Sequence, residues 1–128
     1  MEKENNSLDY KSLRKAIGKQ ADLKSLAETC VAFANAQGGK LIIGIENMQS
    51  EPPINQKVNI EDVNAVVVKL RSLTDGVGLV NPEIITHANG AEYFVIRVFP
   101  SLRTIATTSS GKVFIRISDN SCPVGSDE

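Results

Sequence analysis

The chain has 128 residues, enough for one domain with a single core and crowded for two. Its hydrophobic fraction of 41% and charged fraction of 23% are those of an ordinary globular protein, and no apolar run approaches the roughly 20 residues of a membrane helix. A net charge of −1 does not announce a nucleic-acid binder, yet that average hides a segregation along the sequence.

Two windows carry bases and no acids. Tyr10 to Ala21 holds Lys11, Arg14, Lys15 and Lys19; Tyr93 to Ser118 holds Arg97, Arg103, Lys112 and Arg116. Acids gather in Glu46 to Asp62 and in Asp119 to Glu128. The polar start MEKENNS does not read as a secretory signal, so a cytoplasmic setting is expected. Cys30 and Cys122 are then expected as reduced thiols, and neither they nor the single histidine, His87, has partners at metal-ligand spacing.

In chain order, Ser7 to Tyr10 reads as a short first strand leading into a basic loop. Asp22 is placed to cap a helix running to about Ala36, with Leu23, Leu26, Ala27, Cys30 and Ala34 on one stripe. Gly38 and Gly39 stop that helix, since glycine accepts the left-handed conformation of a helix end and lets backbone approach closely. Leu41 to Ile45 follows as a buried strand broken by Gly44, with Glu46 at its mouth. The order helix, glycines, strand is the reverse of a phosphate-cradling loop, and Ala34 and Leu41 stand where that motif needs Gly and Ser or Thr. Nothing here therefore supports an ATPase or helicase centre.

The paired prolines of MQSEPPINQK mark an exposed loop. Asn59 caps a second helix, with Asp62 in a capping-box position and Ile60, Val63, Val66, Val67 and Leu70 as its buried stripe. Glu83 to Thr86 and Tyr93 to Phe99 flank an Asn89-Gly90 hairpin signal. In the second of these strands Phe94, Ile96 and Val98 face one side, with Tyr93, Val95 and Arg97 on the other. Pro100 ends it, and the Ser/Thr-rich stretch Ser101 to Gly111 is expected to be a mobile loop. Val113 to Ile117 resumes alternation, Phe114 and Arg116 opposing Val113, Ile115 and Ile117. The predicted class is α+β, in the order β-α-β-α-β-β-β, with two helices packed on a mixed sheet.

Three phrases together resemble the Schlafen AlbA_2 domain family over nearly the whole chain. They are Glu4 followed by Leu8-Asp9-Tyr10-Lys11, then AFANAQGGKLIIGIE from Ala32 to Glu46, and finally Phe99-Pro100-Ser101 with Phe114-Ile115-Arg116. The resemblance implies an Alba-like fold and a nucleic-acid-binding module, as found at the amino terminus of bacterial transcriptional regulators and of proteins labelled helicase-related. On that reading residues 1–128 are a single domain, possible first domain of a longer regulator. Two departures stand out: Asn47 replaces the second acid after the strand, and the proline and aromatic expected after Ser101 are not evident.

The first functional expectation is a DNA-binding, regulatory domain, with DNA preferred over RNA, that grips phosphates through Lys11, Arg14, Lys15, Lys19 and Lys40 on one side and Arg97, Arg103 and Arg116 on the other. No cofactor is needed for that role. The alternative implied by the resemblance is a Schlafen-like ribonuclease, in which Glu4, Asp9 and Glu46 converge on Mg²⁺ or Mn²⁺ while Lys11 neutralises phosphate charge. A third expectation is a dimerisation or interaction module, because Alba-like domains imply a homodimer.

Overall fold

Asp22 caps α1 (Leu23–Ala34), its side chain accepting from Ser25 N at 3.1 Å, and Asn59 caps α2 (Ile60–Ser72), accepting from Glu61 N at 2.8 Å. Each cap satisfies an amide that the first helical turn leaves without an intrahelical acceptor. The Asn59 bond goes to the second helical residue, so the expected box with Asp62 is not the device used. These positions come from a computed structural model that describes residues 3–101 and 104–124.

Nine strands accompany the helices among the described residues. They are β1 (Leu8–Lys11), β2 (Gly39–Ile43), β3 (Thr74–Asp75), β4 (Gly78–Leu79), β5 (Ile84–Thr86), β6 (Glu92–Phe99), β7 (Thr107–Thr108), β8 (Phe114–Ile117) and β9 (Asn120–Pro123). The main sheet runs β1, β2, β6, and the far edge of β6 is shared by β4 and β5. β1 is parallel to β2, across the α1 connection, and the other pairings are antiparallel. The α+β class and the mixed sheet with two helices are as expected, and they agree with an Alba-like fold.

The two faces of this sheet differ. Leu41 and Ile43 of β2 and Phe94, Ile96 and Val98 of β6 point inward to join α1 and α2 in the main core. On the other face Leu8, Tyr10 and Ile45 form a smaller buried cluster with Ile42 and Tyr93 packed against it. The α2 stripe is Val63, Val66, Val67 and Leu70, whereas Ile60, expected among them, is about half exposed.

Around α1 the phrase FANAQGG becomes a set of contacts. Gly38 takes φ +81° and donates to Phe33 O at 2.9 Å; a Cβ there would lie 2.6 Å from Val98 O. A Cβ on Gly39 would lie 2.7 Å from the Phe33 ring, so the second glycine is what lets β2 pass under that side chain. Asn35 donates to Ala106 O and Phe114 O at 2.9 and 3.0 Å and accepts from Ala106 N at 2.7 Å. The helix end thereby holds two later segments.

That clamp corrects one expectation. The described part of the Ser101 to Gly111 stretch is tied down: Ala106 is fully buried, Ser109 N bonds to Leu73 O at 2.8 Å, and β7 pairs with β3. In β8, which pairs with β9, Phe114 and Arg116 share one face, as the alternation implies, and that face is the buried one. Among the described residues no helix is long and apolar enough to cross a membrane.

Candidate nucleic-acid interface

The residues singled out in the sequence separate into two places with different chemistry. The first is a buried charge cluster beneath β1. Asp9 is 2% exposed, and its Oδ2 accepts from Arg116 Nη1 at 3.1 Å while Lys11 Nζ stands 3.3 Å from Oδ1. Arg116 also donates to Asn5 O, Leu8 O and Ser121 Oγ, and its guanidinium lies 4.9 Å from the centre of the Phe33 ring. Such an arrangement compensates a buried guanidinium by pairing, hydrogen bonds and an aromatic face.

Glu4 enters the same cluster, accepting from Tyr10 N at 2.9 Å. Its pKa is pushed up to about 7, first by burial and then by the neighbouring Asp9 carboxyl; the Tyr10 amide and Lys11 oppose the shift. Asp9 Oδ1 is buried without an aligned hydrogen-bond donor, so a protonated Glu4 supplies the kind of group that oxygen lacks. Cys30, also buried close to Asp9, has its thiol pushed up to about 12 by desolvation and by that carboxylate, which makes it unreactive.

This geometry corrects two expectations. Arg116 is part of the core, with 1% of its side chain accessible, and offers nothing to a phosphate. Glu46 does not join Glu4 and Asp9: it pairs with Arg14 Nη1 at 3.5 Å on the rim of a cavity lined also by Ser12 and Gln56. Among the described residues no three His, Cys, Asp or Glu side chains stand close enough to hold a metal ion. With Asp9 already paired to Lys11 and Arg116, the donor set does not fit the Mg²⁺ or Mn²⁺ centre of the ribonuclease alternative.

The second place is the outer face of the main sheet. Lys40 on β2 stands directly opposite Arg97 on β6, and both are exposed. The Lys40 amide bonds to Ser7 O at 2.9 Å on the β1 side, so it does not serve β6, and the Lys40/Arg97 pair is of the non-hydrogen-bonded kind in which side chains approach most closely. Like charges directly opposed destabilise a sheet. Among the described residues neither cation is in an ion pair.

The remaining basic residues are more scattered. Lys11 and Arg14 are engaged with Asp9 and Glu46, at the end of β1 remote from Lys40. Lys15 and Lys19 are exposed on the segment after β1, and Arg103 lies outside the described residues. Phe99 stands outside the residues singled out in the sequence. It is two residues beyond Arg97, hence on the same face, 60% exposed, and opposite Gly78, where a side-chain Cβ would lie 3.5 Å from its ring. The alternation of β6 could have placed it there, but its neighbour across the sheet depends on a two-residue strand.

A family model, Schlafen, AlbA_2, matches residues 4–125. The chain belongs to that family, whose domains are nucleic-acid-related, and nucleic acid is the class of partner the family implies. Among solved structures, the DIP2311 protein from Corynebacterium diphtheriae is similar at 21% identity and a TM-score of 0.61, over 93% of this chain. The chain spans 25% of that protein's length, and at this identity the likeness is one of fold. No curated protein matches the chain.

Proposed function

We propose that this domain binds DNA by gripping the phosphate backbone, with the outer face of its sheet as the main contact. The observation that carries this reading is the exposed, directly opposed Lys40/Arg97 pair. It costs the fold stability when free, and a bridging phosphate would relieve that cost. Exposed Lys15 and Lys19 would add contacts farther along the backbone, and Lys11 and Arg14 could contribute where their carboxylate partners release them. Such contacts position nucleic acid and confer little sequence preference, which suits a domain that supplies affinity to a larger regulator.

Four exposed cations in contact with phosphate would make affinity fall about a hundredfold between roughly 50 and 200 mM salt. Fluorescence anisotropy of a labelled DNA titrated with the protein at those two salt concentrations checks this. Binding that is absent at the lower salt, or equal at both, would contradict the proposal.

A further inference from the structure

The same outer face carries more than charge. Beside Lys40 and Arg97 on this face lie Ile42, Tyr93 and Val95, all partly buried, and Phe99, which is mostly exposed. Two shallow recesses flank the cationic pair. One, of about 240 Å³, is walled by Tyr10, Lys40 and Ile42; the other, of about 280 Å³, by Pro82, Val95 and Arg97, with Glu83 also on its border. The two helices pack on the opposite face.

Resting on the DNA-binding reading above, we infer that this face is a stacking platform for single-stranded DNA, with Phe99 taking an unpaired base while Lys40 and Arg97 hold the adjoining phosphates. Aromatic side chains beside a cationic track are what unpaired strands require, because every base has a face to stack and none is hidden in a duplex. A duplex fits this surface poorly. Three adjacent strands span roughly 10 Å between their outer axes, before side chains are added, against a major groove about 12 Å wide. With side chains added, a face of that width would meet the outside of a duplex, where the bases are stacked away from Phe99.

A second copy of the chain is a worse occupant. A two-fold contact over this face would bring two Lys40/Arg97 pairs together, four like charges in one interface. RNA is the weaker candidate: with Lys40 and Arg97 taken up by phosphates and Ile42 and Val95 apolar, Tyr93 is the one side chain among these five left to meet a 2′-hydroxyl.

Anisotropy with a labelled 15-nucleotide oligo-dT, the same strand annealed to oligo-dA, and a 15-nucleotide oligo-U tests the inference at low salt. The expected order is oligo-dT tightest, and Phe99→Ala weakens oligo-dT binding by about tenfold or more, duplex binding little, with Phe99→Trp retaining affinity. Since Phe99 is exposed, the variants are expected to unfold in urea as the parent does, which is checked alongside. An oligo-dT affinity no greater than that of the duplex, or one unmoved by Phe99→Ala, overturns the platform while leaving salt-dependent DNA binding intact. Tighter binding of oligo-U overturns the choice of DNA, and a dimer in light scattering that Phe99→Ala dissociates assigns the face to a second copy. Absence of binding to all three removes the platform and the DNA-binding reading together.

Discussion

Arg116 and Arg97 have the same side chain, sit in the same acid-free window and lie on strands of similar alternation, yet one is core and the other surface. The difference is what the fold places opposite them. Arg116 meets Asp9 across 107 positions of sequence, and its removal leaves a buried carboxylate short of a partner. Arg116→Met is therefore expected to destabilise the domain by about 3 kcal/mol or more, read from the urea midpoint. A variant within about 0.5 kcal/mol of the parent would mean that the pair is replaceable by packing alone. Glu4 makes a pH-dependent contribution of definite sign. Its folded-state pKa is about 7 against an ordinary 4.5, so the native state binds the proton more tightly. Glu4 thus favours folding fully below about 4.5, and that contribution is lost as pH rises towards 7. Urea unfolding from pH 5 to 7.5 should show this decline, and Glu4→Gln, which keeps a neutral side chain throughout, should flatten it.

At the level of elements, the phrase around α1 was the most legible part of the molecule, and its glycines act as a helix stop and a close approach, as the residue order implies. The partners of Asn35 were not legible. They lie 71 and 79 residues away, and no local pattern marks Ala106 or Phe114 as their recipients. For the same reason the two-residue strands β3, β4 and β7 escaped notice: they exist because tertiary contacts bring short extended pieces together, which propensity and period do not encode. Asn35→Ala removes one acceptor and two donors from partly buried backbone groups. It should cost about 2–4 kcal/mol, and amide exchange should accelerate at Ala106 and along β8 before it does in β2. Uniform acceleration across the sheet would argue that Asn35 does not hold those segments separately.

On the scale of the whole molecule, the sequence supplied the basic residues but not their company. The acid-free windows suggested two walls of positive charge; folding neutralises Lys11, Arg14 and Arg116 with nearby carboxylates and leaves Lys40 and Arg97 face to face in water. That pairing follows from β6 lying beside β2 in one register, information carried by the sheet and not by either strand. The three carboxylates show the same limit, since Glu4 and Asp9 meet while Glu46 turns to Arg14.

If the Lys40/Arg97 face meets DNA phosphates, the salt slope of binding registers those contacts. Plotting log affinity against log salt for the parent and for the Lys40→Gln/Arg97→Gln double variant counts the contacts those two side chains make. The variant's slope is expected to be shallower by roughly 1.4–1.8, with weaker binding at every salt concentration. Identical slopes and affinities for the two proteins would contradict that contact.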